Sequence, residues 1–141
     1  MANHQITITT TVAAPVDNTW DAYTNPAAIT QWNFASDDWC CPSAEVDLRE
    51  GGTHKARMEA KDGSFGFDFQ GVYEEVKPRE AVTLVLGDGR KARTTFESNG
   101  NSTKVTTVFD AEGTNSLDMQ RDGWQAILNN FKAFVEGKAR A

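Results

Sequence analysis

The pattern of apolar residues predicts an α+β fold: a curved antiparallel sheet wrapped around one long C-terminal helix, with two short helices after the first strand. Residues 53–110 hold runs rich in Thr, Val and Phe, separated by turn clusters of hairpin length, as an antiparallel meander requires. Residues 115–137 repeat apolar side chains at three-to-four spacing, the signature of a helix with one greasy side. That side must lie across something apolar, and the concave face of the meander is the only surface large enough.

Each element has its own reason. Ile6, Ile8, Thr10 and Val12 alternate with polar neighbours, so the first segment reads as a half-buried strand. Pro15 stands where a helix begins, and Val16, Trp20 and Tyr23 then share one helical face. Asn25-Pro26 reads as a cap plus first-turn proline, opening a second short helix through Trp32. Beyond it, Gly51-Gly52, Asp62-Gly63, Lys77-Pro78, Gly87-Asp88-Gly89 and Asn99-Gly100-Asn101 punctuate the chain. Strands are expected over 53–60, 65–77, 81–87, 90–98 and 103–110, and strand glycines such as Gly66 and Gly71 should curve the sheet. In the final helix Leu117, Trp124, Ile127, Leu128, Phe131, Phe134 and Val135 form the apolar stripe. Asn115 and Asp118 serve its N-terminus, Gly137 its stop, and 115–137 would span ~34 Å. The N-terminal strand, at a sheet edge, could pair across a homodimer.

Composition narrows the function classes. The 141 residues fit one domain, 1–141, without repeats or linkers. With 39% hydrophobic residues, four Trp and eight Phe, the chain can bury a core. A net charge of −6 repels phosphate backbones, so no nucleic-acid partner is expected. Met1–Val12 carries no readable secretory signal, and no stretch approaches the ~20 apolar residues of a membrane span. The two cysteines, Cys40 and Cys41, are adjacent and make no disulfide framework, which points to the cytoplasm with both thiols reduced and inert.

The chemistry-bearing residues are few. Trp32, Phe34 and Trp39 crowd what reads as a loop before a strand, either as a plug at one end of the sheet or as a lid over a ligand. Met58, Phe67, Phe69 and Phe96 are expected to point inward from strands, and Trp124 and Leu128 from the helix, as walls of a cavity. His54, Arg57, Glu59 and Arg93 are the polar residues expected beside it, and Gln120 and Arg121, which interrupt the apolar stripe, either mark its mouth or stand where the helix overhangs the sheet. Gly123 either allows close packing or leaves room beside Trp124. Asp47 and Arg49, two apart on a strand, should share a face and pair, with Arg49 a lesser candidate for the ligand entrance. Phosphate-cradling, dinucleotide and nucleophile-elbow motifs are absent, no histidine–cysteine spacing suits zinc, and no carboxylate pair stands out. No catalytic residue, metal or cofactor is therefore expected.

One resemblance spans nearly the whole chain. It rests on Trp20, Asn25-Pro26 with Gln31-Trp32, and Trp39 ahead of Ala44-Glu45-Val46-Asp47-Leu48-Arg49-Glu50-Gly51-Gly52. It continues through Phe69-Gln70-Gly71-Val72-Tyr73, Val76-Lys77-Pro78 and Gly123-Trp124-Gln125-Ala126-Ile127-Leu128-Asn129-Asn130-Phe131. These residues resemble the bacterial single-domain branch of the SRPBCC (START-like, helix-grip) superfamily, of the type named for activators of a heat-shock chaperone ATPase. The resemblance implies an internal cavity that commonly takes apolar small molecules. An apolar small molecule is thus the expected partner. Co-regulation of a chaperone ATPase through exposed sheet residues is the second expectation, weakened because 141 residues leave no room for the extra N-terminal domain of the eukaryotic co-chaperones. A cyclase- or hydrolase-like enzyme using His54, Arg57 or Glu59 is the third.

Overall fold

A computed structural model describes residues 4–113 and 116–139. The chain runs β1 (Gln5–Val12), α1 (Val16–Thr24), α2 (Pro26–Trp32), β2 (Trp39–Val46), β3 (Thr53–Ala60), β4 (Gly66–Lys77), β5 (Ala81–Leu86), β6 (Lys91–Ser98), β7 (Thr103–Asp110) and α3 (Leu117–Ala139). Among the described residues, seven strands form one sheet in the order β1-β7-β6-β5-β4-β3-β2. Every neighbouring pair is antiparallel. Strands β2 to β7 follow as a meander, and β1 returns to close against β7.

Alternation decides which face is wet. Ile6, Ile8 and Val12 of β1 and Thr103, Val105, Thr107 and Phe109 of β7 are buried, while residues between them are exposed or half-buried. The concave face so made receives Leu128, Phe131 and Val135 of α3. Fully burying side chains of this kind contributes about 1.5–3 kcal/mol each. Rings from four elements lock together there: Phe131 meets Tyr23 and Trp32 edge-on at 5.3 and 4.9 Å, and Trp20 meets Phe96 at 5.2 Å. Asn25 caps α2 as expected, its side chain accepting from the Ala27 amide at 3.0 Å. Glu136 accepts from the Ala13 amide at 2.9 Å, which ties the end of α3 to the β1–α1 junction.

Several expectations are corrected. Trp39 does not sit in a loop but begins β2, an edge strand hidden in the sequence because its pairing with β3 slips between Cys40 and Ser43, around Pro42. Asp47 and Arg49 lie beyond β2, in the turn before β3. They do pair, at 2.9 Å, but both side chains are exposed. The turn itself needs Gly51-Gly52: Gly51 has φ 86°, and a Cβ on Gly52 would stand 2.1 Å from the Asp47 carbonyl oxygen. Helix α3 runs through Gly137 to Ala139: Gly137 does not adopt the positive φ of a helix stop. Leu117 is 39% exposed and stays out of the core, since it stands on the first turn ahead of the sheet's cover. Asn115, expected as a cap, lies outside the described residues.

Candidate functional site

Between α3 and the concave face lies a cavity of about 220 Å³. Its helical wall is Trp124, Ile127 and Leu128 of α3, and its sheet wall includes Met58, Phe67, Phe69, Tyr73 and Leu84. Trp32 and Asn33 close one end at the α2 terminus. The space survives because Trp124 acts as a strut. It stacks on Phe109 with centroids 4.0 Å apart and meets Phe69 edge-on at 6.1 Å, holding the helix off the β3–β4 side of the sheet.

The polar groups of the wall are neutral. His54 Nδ1 and the Tyr73 hydroxyl are 3.2 Å apart. Elsewhere on the wall the Tyr23 hydroxyl of α1 lies 3.1 Å from Thr94 Oγ1 of β6, which lies 2.8 Å from Thr107 Oγ1 of β7. Loss of water around the largely buried ring lowers the His54 pKa to about 4, although the residue keeps some accessible surface, and so the imidazole is uncharged at neutral pH. Burial pushes the Tyr23 and Tyr73 hydroxyls up, away from ionisation. Among the described residues lining the cavity there is no Lys, Arg, Asp or Glu.

Of the expected site residues, Trp32, His54, Met58, Phe67, Phe69, Trp124 and Leu128 meet at this cavity. The others lie elsewhere. Phe96 is buried under α1 against Trp20 and Tyr23. Phe34 follows α2, where its carbonyl accepts from the Asn130 side chain. Trp39 is not among the lining residues and packs against Phe65 and Phe67 at 5.9 and 6.1 Å. Arg57 and Glu59 project from the outer face of the sheet and pair with each other at 2.8 Å, because an odd step along β3 separates them from the inward His54. Arg93 is likewise on the outer face, 2.9 Å from Glu75, whose carboxyl it and Thr83 hold down to about 2. Arg121 is exposed and pairs with Asp118. Buried Gln120 instead braces the β7–α3 connection, accepting from the Glu112 amide at 2.8 Å. Arg49 is not among the lining residues.

Sequence reasoning missed Tyr23, Tyr73, Thr94 and Thr107. Parity would have found two of them, since Thr94 shares a strand face with Phe96, and Thr107 with Phe109. Cys41 is buried and its thiol is pushed up by desolvation, while Cys40 is half-buried, and both thiols are free. Among the described residues, no group of three or more His, Cys, Asp or Glu could hold a metal. No described helix is long and apolar enough to cross a membrane.

Comparison with known proteins places this architecture. A family model described as "Activator of Hsp90 ATPase homolog 1-like protein" matches residues 13–136. The solution structure of an AHSA1-like protein from Aeromonas hydrophila is 38% identical, with a TM-score of 0.91 over 98% of this chain and 96% of that one. A solution structure from Cytophaga hutchinsonii is 43% identical, with a TM-score of 0.81 over 96% and 94% of the two chains. A crystal structure from Nitrosomonas europaea, at 17% identity and TM-score 0.83, covers 100% of this chain and 99% of its own and shares the fold. No curated protein matches. A match over residues 13–136, together with a long helix held by a curled seven-stranded sheet, makes this chain a member of the Activator of Hsp90 ATPase homolog 1-like family, with the helix-grip fold of the SRPBCC/START-like superfamily.

Proposed function

We propose that the chain binds an apolar small molecule in the cavity between α3 and the sheet. The observation that carries this is the 220 Å³ space itself, walled by aromatic and aliphatic side chains with a few placed hydroxyls, one imidazole and the Asn33 amide. A core built only for stability would close such a gap, because each lost contact costs dispersion energy. Native mass spectrometry of freshly purified protein tests the reading: a small molecule should travel with the chain, and Phe67→Ala should lose it while the exposed Glu97→Ala retains it. Protein that arrives empty and gives no thermal shift with any member of an apolar ligand panel would overturn it. The two free cysteines are in keeping with a reducing compartment such as the cytoplasm.

Co-regulation of a heat-shock chaperone ATPase is the second reading, supported by the family description and by exposed apolar residues on the outer face such as Val72. An unchanged ATPase rate with the chaperone of the same cell would exclude it. The enzymatic reading loses its proposed trio, since His54 faces inward while Arg57 and Glu59 face outward.

A further inference from the structure

We propose that the cavity selects an uncharged molecule about the size of two fused rings, carrying a hydroxyl that His54 holds by a hydrogen bond, and that it rejects carboxylates. This deepens the binding role proposed above and rests on it.

Size sets the first limit. A dry cavity of ~150 Å³ holds benzene, and drug-sized sites run ~300–1,000 Å³, so 220 Å³ suits a fused bicycle. Charge sets the second. The described lining residues carry no cation, and the basic residues of β3 serve the other face: Lys55 lies 3.9 Å from Asp68, and Arg57 is 2.8 Å from Glu59 and 3.5 Å from Asp68. A carboxylate entering the cavity would lose its water and meet no counter-charge, a penalty of several kcal/mol. Neutral His54 does not supply one.

Polarity sets the third limit. Tyr73 occupies His54 Nδ1, and Nε2 bonds no described residue. In a neutral imidazole one nitrogen donates and the other accepts, and the Tyr73 hydroxyl can satisfy either role at Nδ1. A ligand hydroxyl at Nε2 works for both tautomers, whereas a carbonyl can only accept. The Tyr23, Thr94 and Thr107 hydroxyls already bond one another and the Thr24 hydroxyl donates to the Trp20 carbonyl, so the polar positions of the wall open to a ligand are His54 and, at the α2 end, Asn33, whose side chain also meets the Cys41 thiol.

Three probes of one scaffold separate these claims: 2-naphthalenemethanol, 2-ethylnaphthalene and 2-naphthoate, each titrated into the isotope-labelled full chain at pH 7 and followed by NMR. The alcohol should bind tightest and move the Trp124 indole and His54 imidazole resonances. Ethylnaphthalene should bind about 3–10-fold more weakly, the worth of one hydrogen bond, and should leave the imidazole nearly unmoved. Naphthoate should bind at least about tenfold more weakly than the alcohol. In His54→Leu the alcohol should fall to the affinity of ethylnaphthalene. The imidazole shifts of the unmodified chain carry the same information if that variant fails to fold. Naphthoate binding as tightly as the alcohol, or an alcohol preference with no response at His54, overturns the selectivity and leaves the binding role intact. If none of the three moves the cavity resonances, the binding role falls and the selectivity with it.

Discussion

Trp124 of α3 lies nearly flat on Phe109 of β7, with ring centroids 4.0 Å apart and planes 11° from parallel. Aromatic pairs usually sit ~4.5–7 Å apart, offset or edge-on, so this contact is tight. Phe109 is 1% exposed and cannot retreat. The indole therefore joins helix to sheet while its other side borders the cavity. Trp124→Ala should cost about 3 kcal/mol in urea unfolding, and Trp124→Phe about 1 kcal/mol, with the cavity enlarged in both. An alanine variant losing under half of that would show that the stack does not support the helix.

Acid should weaken the fold through His54. Its folded pKa, about 4, is below its ordinary 6.5, so the fold favours the neutral ring. Between those values the unfolded chain takes up a proton that the folded chain refuses. Stability is thus unaffected above pH 6.5, falls as pH drops toward 4, and levels off below. Tyr23 and Tyr73 are the other titratable groups of the cavity wall, and both stay neutral throughout this window. The full effect is on the order of 2–3 kcal/mol once partial exposure is allowed for. His54→Gln should flatten the profile between pH 6.5 and 4. Glu75 acts lower: its depressed pKa of about 2 gives stability that is lost from its ordinary 4.5 downward, and the variant should keep that slope.

Gly123 is an opportunity for stabilisation. A Cβ there would meet nothing within 4 Å, so the residue serves neither close packing nor the cavity. Gly123→Ala should raise stability by about 0.5–1 kcal/mol, or roughly 2–4 °C in Tm by calorimetry. A loss would mean that the helix needs a hinge at that point.

The β4–β5 turn carries a strained residue. Glu80 N–H donates to the Lys77 carbonyl at 2.9 Å across Pro78-Arg79, and Arg79 has φ 64°. That position of the turn favours glycine. Arg79→Gly should gain about 0.5 kcal/mol net of the added freedom of the unfolded chain, since the exposed Asp17 partner at 3.4 Å contributes little. Chemical denaturation of the pair of proteins reads this directly.

How much of this was legible in the sequence depends on the element. Asn25-Pro26 announced α2 because cap and first-turn proline act locally. The α3 stripe from Trp124 to Val135 was legible because one face repeats over three turns. Strand β2 was not, because the slip around Pro42 breaks the alternation that marks a strand. The aromatic half of the cavity, Phe67, Phe69 and Trp124, could be read from inward parity and helical spacing. Of the hydroxyl half, parity reaches Thr94 and Thr107, but their meeting with Tyr23 does not show in the sequence: Tyr23 and Thr94 are 71 residues apart, and only the closure of the sheet under α1 joins them. His54 and Arg57 were grouped by chemistry when their odd spacing along one strand already set them on opposite sides.

The slip at Pro42 has a consequence for the molecule among its neighbours. Strand β2 is one border of the sheet, where unpaired amides could recruit another chain. Pro42 offers no amide there, and the extra residue bends the border out of line. Zipper-like accretion of further copies therefore finds no straight template on this side, and a crowded solution of the protein is spared one route to fibrils.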